Sequence, residues 1–140
     1  MESLVRRMRE FALDLLSSQG IDFELRGPEM RKPAELSLQA RRQVFLIFKE
    51  CVHNAARHSR CSAVVAELKI ADREVVLTIE DNGTGLRPED KTTGGTGISN
   101  IERRSRELGG RMQLTSKPGE GCCFAIQFPL QRSPLARAKR

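Results

Sequence analysis

Apolar residues recur at helical spacing at the start of the chain. Leu4, Met8, Phe11, Ala12, Leu15 and Leu16 fall on one stripe, which predicts an amphipathic helix over residues 3–18. Ser17-Ser18-Gln19-Gly20 closes it, with Gly20 suited to the left-handed cap. The period then drops to two. Ile21, Phe23 and Leu25 alternate with Asp22, Glu24 and Arg26, so 21–26 reads as a half-buried strand. Residues 27–35 hold two prolines and a glycine and form a loop. A longer helix is predicted over 37–58, with an apolar centre from Val44 to Phe48 and Ser37 as its cap. Residues 62–71 and 74–80 read as a β-hairpin about the turn Ala71-Asp72-Arg73, with Val75, Leu77 and Ile79 alternating with Val76, Thr78 and Glu80. A third helix follows over 98–108, ended by Gly109-Gly110. Strands over 111–116 and 122–128 close the pattern, joined by Lys117-Pro118-Gly119-Glu120-Gly121, with Pro129 stopping the last one.

The order is α-β-α-β-β-α-β-β, with no internal repeat and no strict βαβ alternation. It predicts an α+β fold: a two-layer α/β sandwich with one mixed sheet and helices packed on one face. A length of 140 residues suits one domain and buries enough surface to need no staples. With 39% hydrophobic and 30% charged residues, the chain reads as an ordinary globular protein. No apolar run approaches the roughly 20 residues that span a bilayer, and the N-terminus has no signal-peptide core. Cys51, Cys61, Cys122 and Cys123 form no CxxC pair, and only two histidines are present, so a zinc site is not expected. All four read as reduced thiols, which points to the cytoplasm; Cys122 and Cys123 would face opposite sides of their strand.

The formal net charge is +6, but it is uneven. Arg132, Arg137, Lys139 and Arg140 lie in the last ten residues, which hold no acid; the other 130 carry 20 bases against 18 acids. The division expected is a domain over 1–130 and a basic, disordered tail over 131–140. Without Trp or Tyr to stack bases, nucleic acid is not an expected partner.

Four segments could carry chemistry. On the second helix Glu50, Asn54, Arg57 and His58 stand at i, i+4, i+7 and i+8, hence on one face beside the core stripe. This is either a site or a solvated polar face. Asp81-Asn82-Gly83-Thr84-Gly85 follows an apolar strand directly: either a plain turn or a cavity floor where backbone approaches a ligand. Gly94-Gly95-Thr96-Gly97-Ile98-Ser99-Asn100 opens the third helix, where backbone N–H groups and the helix N-terminus suit an anion. It is neither a Rossmann fingerprint nor a P-loop. Pro118-Gly119-Glu120-Gly121 by itself is a hairpin turn.

Taken in order, an Glu-x-x-x-Asn helix, Asp-x-Gly-x-Gly, Gly-x-Gly opening a helix and Gly-x-Gly in a last hairpin resemble the ATP-binding domain of sensor histidine kinases. That domain belongs, with gyrase, the ninety-kilodalton heat-shock chaperone and MutL, to the GHKL superfamily with the Bergerat fold. The resemblance covers about residues 4–130. The segments Phe48–His58 and Gly97–Arg104, followed by Leu108-Gly109-Gly110, look most like the subgroup that pairs with NarL/LuxR-type response regulators.

The resemblance implies that Asn54 holds Mg²⁺ at the nucleotide phosphates and that Glu50 orients a water or acts as a base, touching the metal at most through water. It also implies that Arg57 and His58 donate to the phosphates and that Asp81 accepts from the adenine amino group. Gly83 and Gly85 would let the base lie against backbone. Gly95, Thr96, Gly97 and Ile98 would cradle the phosphates, with 87–96 as a short lid. Cys122 stands where such domains carry Thr or Ser beside the base, which puts base selectivity in question. The implied partners are ATP and ADP, a dimerisation domain upstream that carries the phosphoacceptor histidine, and a response regulator. His53 and His58 are poor phosphoacceptors. The chain is expected to be monomeric, to make no membrane contact and to turn ATP over slowly or not at all without that domain. Two other readings remain: an anti-sigma-factor-type serine kinase, and a degenerate binding module of the same fold.

Overall fold

The computed structural model describes residues 2–28, 36–58, 60–85 and 97–130, save the side chain of His58. In chain order the elements are α1 (Glu2–Ser17), β1 (Asp22–Arg26), α2 (Leu38–His58), β2 (Ala63–Ala71), β3 (Glu74–Asp81), α3 (Ile98–Glu107), β4 (Arg111–Lys117) and β5 (Gly121–Pro129). The tail over 131–140, the segment 87–96 with Gly95 and Thr96, and the loop over 29–35 lie outside the described residues.

The five strands form one sheet in the order β1-β2-β3-β5-β4. β1 pairs parallel with β2, after a crossover through α2; the other pairings are antiparallel. The sheet is therefore mixed, and the three helices of the described residues contact it or one another on a single side. Strand alternation sets that side. Val75, Leu77 and Ile79 of β3, and Phe124, Ile126 and Phe128 of β5, are buried beneath the helices, whereas Val76, Thr78, Ala125 and Gln127 are half-buried on the other face. Leu4, Met8, Ala12 and Leu16 of α1, and Val44, Ile47, Phe48 and Val52 of α2, complete the core. Each such aliphatic or aromatic side chain contributes about 1.5–3 kcal/mol relative to exposure. Phe23 meets Phe48 edge-on with ring centroids 6.1 Å apart, which fixes the edge strand β1 to α2.

The element ends have local causes. Gly20, at φ +72, lets the Ile21 N–H reach the Leu16 carbonyl and stop α1. The Ser37 hydroxyl accepts from the Ala40 N–H at 3.1 Å and caps α2. Gly109, at φ +78, closes α3, while Gly110 lies so tightly on Gln127 and Phe128 of β5 that a side chain there would overlap them. The hairpin between β2 and β3 departs from expectation by one residue. Ala71 pairs with Glu74 inside the ladder, and the loop is only Asp72-Arg73. Both loop residues have positive φ, 51° and 64°, as a two-residue hairpin turn of the twist-matching type requires.

Candidate functional site

The site gathers where the ends of β3 and β5 meet the C-terminal half of α2 and the start of α3. Asp81 is the last residue of β3. It pairs with Val64 on one side and Cys122 on the other, so it is held from both flanks of the sheet. It is buried, and one carboxylate oxygen accepts from the Gly83 N–H at 2.9 Å. Burial pushes its carboxyl above the ordinary aspartate value, against the pull of the backbone N–H groups of Gly83 and Cys122. A buried carboxylate with acceptor capacity left over is suited to accept from a ligand donor.

The glycines around Asp81 are set by close approach. Gly85, at φ +80, lies against β4: a Cβ there would stand 2.6 Å from the Lys117 carbonyl oxygen and 3.0 Å from Ser116 Oγ. The Gly119 N–H donates to the Thr84 carbonyl at 2.9 Å, which ties the Asp81–Gly85 loop to the β4–β5 turn. Gly121, at φ +88, faces the Asp81 carbonyl oxygen directly, and any side chain there would overlap it. The sequence motif around Gly121 thus does more than turn a hairpin. A turn alone asks for one glycine, at Gly119, and the second is the signal that backbone must pass close to another strand.

Asn82 is a further residue whose part the sequence reading left unassigned. Its Oδ1 accepts from the Ser62 and Ala63 N–H groups at 2.9 and 3.0 Å, and its Nδ2 donates to Ser62 Oγ at 2.9 Å. It stands in for the next rung of the ladder and fixes the direction in which the chain leaves Asp81.

On α2, Glu50 is half-buried and Asn54, one turn on, is buried. The Glu50 carboxylate lies against Gly97, where an added Cβ would overlap Oε2. Gly97 has φ 78 and precedes α3, whose first turn has neither a side-chain cap nor an acidic residue. Its N-terminal N–H groups are thus unclaimed by any capping side chain and suit an anion. Ile98 begins that helix and packs on the core. Asn54 Nδ2 is buried with no hydrogen-bond partner among the described residues. An orphaned buried amide costs about 1–3 kcal/mol, and a half-turn of the carboxamide exchanges its donor and acceptor ends. The group fits a ligand that includes a hard cation, which takes an amide oxygen.

Arg57 is exposed on the last turn of α2, and the backbone of His58 ends that helix. His53 meets Phe11 of α1 edge-on at 5.5 Å, which turns it toward α1. Burial, followed by the Arg57 charge, holds its pKa below the usual histidine value. Cys122 is buried beside Asp81, and Cys123 is half-buried with its thiol pKa raised by burial. Cys51, next to Glu50, is fully buried and is raised much further for the same first reason. Raised thiol pKa values at Cys51 and Cys123 disfavour the nucleophilic thiolate.

Known proteins share this fold. Residues 39–132 match the family model described as histidine kinase-, DNA gyrase B-, and HSP90-like ATPase. Over 89 residues the chain is 32% identical to "Sensor protein VraS" of Staphylococcus saprophyticus, covering 64% of this chain and 26% of that protein. The same figures hold for the protein of that name from Staphylococcus aureus. The chain therefore spans about a quarter of the length of these relatives. Among solved structures, the Acinetobacter baumannii histidine kinase AdeS superposes with a TM-score of 0.74 at 20% identity, covering 94% of this chain and 65% of that one. The histidine kinase domain of the Erythrobacter litoralis EL346 blue-light activated kinase gives 0.71 at 19%, over 91% and 61%. The fold is that of histidine kinase ATPase domains. Since the family match runs through α2, both hairpins and α3, the chain belongs to the histidine kinase-, DNA gyrase B- and HSP90-like ATPase family.

Proposed function

We propose that this chain is the ATP-binding catalytic domain of a sensor histidine kinase. It binds Mg-ATP and presents the γ-phosphoryl to a histidine on a dimerisation domain outside this sequence, from which a NarL/LuxR-type response regulator takes it onward. The observation that carries the reading is Asp81: a buried carboxyl at the end of the central strand, braced by Gly83 and Cys122. Its free acceptor capacity suits the adenine amino group, and Gly83 and Gly85 leave the backbone bare for the base. Cys122 offers only a weak donor there. Asn54 would hold Mg²⁺, which when bound neutralises phosphate charge. Glu50 would orient a water or act as a base, Arg57 and His58 would donate to phosphate oxygens, and Gly95, Thr96, Gly97 and Ile98 would cradle the phosphates. The protein's work is positioning and charge stabilisation of an in-line transfer. Among the described residues no helix is long and apolar enough to cross a membrane. The reading places the domain in the cytoplasm, where ATP is supplied.

Calorimetric titration of ADP and a non-hydrolysable ATP analogue with Mg²⁺, on wild type and Asp81→Asn, tests it. Loss of the buried acceptor is expected to weaken binding by about ten- to a hundredfold, or roughly 1–3 kcal/mol. No binding at millimolar nucleotide overturns the reading. If binding is present, the chain is supplied with a dimerisation domain and assayed for acid-labile phosphohistidine.

A further inference from the structure

At the end of α2 remote from Glu50 and Asn54, α1 and α2 enclose a cavity of about 380 Å³. Arg7, Arg41 and Arg42 stand around it, and Leu38, Phe45 and Leu46 form much of its apolar lining. The nucleotide reading uses none of these residues. Three features set the cavity apart from an ordinary solvated helix surface. Leu38 is 78% exposed, a large apolar side chain with nothing over it among the described residues. Arg41 Nε is buried and has no hydrogen-bond partner among the described residues. None of the three guanidinium groups forms an ion pair among the described residues, and α2 carries no acid before Glu50. Arg7 is nonetheless held in place, its guanidinium 4.6 Å from the centre of the Phe45 ring.

We propose that this cavity is a docking site for an acidic segment of a partner protein, with an apolar side chain seated between Leu38 and Phe45 and carboxylates on Arg41 and Arg42. Charge complementarity selects the partner. Three guanidinium groups around one opening, none in an ion pair among the described residues, favour carboxylates, which they can bind through two parallel N–H donors. The apolar lining selects a peptide over a free phosphate, because leucine and phenylalanine give an inorganic anion nothing to bond. Concavity selects a protruding side chain over a bilayer, which meets proteins along convex or planar faces. The chain's own last ten residues are excluded by sign, since they hold four bases and no acid. The proposal is independent of the nucleotide reading and stands if that reading fails.

The probe is a fluorescein-labelled helical peptide of leucine, alanine and glutamate, with the leucines at three-and-four spacing, followed by fluorescence anisotropy on the whole chain. Leu38→Glu and the double variant Arg41→Glu/Arg42→Glu are each expected to weaken binding by about tenfold or more, as removal of an anchor or its charge partners does. Circular dichroism melts check that the variants fold. Arg42→Glu alone, an exposed change, is expected to weaken binding measurably if the double variant is unstable. A polyglutamate of the same length is expected to bind more weakly and to ignore Leu38→Glu. Equal affinity for polyglutamate would reduce the site to plain charge attraction and overturn the proposal. So would absence of peptide binding, tight binding to phosphatidylglycerol vesicles in preference to the peptide, or a concentration-dependent dimer that Leu38→Glu disperses.

Discussion

Two glycines in the β4–β5 turn offer a controlled comparison. Gly119 and Gly121 have similar φ, +79 and +88, and differ in what surrounds them. A Cβ on Gly119 meets nothing within 4 Å, whereas one on Gly121 overlaps the Asp81 carbonyl oxygen, a backbone atom held by two strands. Left-handed backbone costs an L-residue about 1–2 kcal/mol. Restriction of the unfolded chain by alanine returns about 0.4–1 kcal/mol. Gly119→Ala is therefore expected to lose roughly 0.5–1.5 kcal/mol. Gly121→Ala carries the same conformational cost plus about 1–3 kcal/mol of overpacking against an atom that can yield only by opening the β3–β5 ladder. Urea denaturation measures both as shifts in midpoint at unchanged slope. If the two variants lose equal stability, the close approach of Gly121 to Asp81 is wrong. On the proposed function, Gly121→Ala also loses nucleotide affinity in native buffer while Gly119→Ala keeps it.

Asn54→Leu removes an orphaned amide from a buried position, so stability is expected to stay within about 1 kcal/mol of wild type or to rise, while magnesium-dependent nucleotide affinity is lost; thermal melts and calorimetry read the two effects. Asn82→Ala strips three hydrogen bonds from the mouth of the sheet, at an expected cost of about 1–3 kcal/mol in urea denaturation. The Asp81 carboxyl has its folded pKa raised, first by burial. The native state therefore holds more protons than the unfolded chain between the ordinary aspartate value and that raised value. Its contribution to stability is present below the ordinary value and is lost as pH rises through the raised one. Relative to Asp81→Asn, wild type should lose stability across that window, and a wild type that instead gains stability relative to the variant as pH rises would refute the burial argument.

Most element positions were legible because two periods, 3.6 and 2, dominate the chain, and each boundary fell within one residue of expectation. The hairpin turn was misjudged by one residue. Ala71 is exposed and unremarkable in sequence, and only the positive φ of both Asp72 and Arg73 reveals a two-residue loop. The placement of Glu50, Asn54 and Asp81 could be expected from their spacing, since each stands at a position fixed by its own element. What could not be read was proximity between elements. Nothing in the order of residues says that Glu50 abuts Gly97, that Gly121 abuts Asp81, or that Asn82 finishes the ladder for Ser62 and Ala63. Those contacts depend on how strands distant in sequence are brought side by side.

The order of the sheet has a consequence for synthesis. β5 is made last, yet it sits inside the sheet, between β3 and β4. Until residues 121–129 leave the ribosome, β3 keeps one bare edge, β4 has no partner at all, and Asp81 lacks its neighbour at Cys122. A nascent chain or a late truncation ending before Gly121 is thus no weakened version of the domain. It has an open strand edge prone to pairing with other chains and lacks the strand that flanks Asp81. A stop codon that falls before Gly121 is therefore expected to yield an insoluble product, even though every residue of α2 and of the Asp81 loop has been translated.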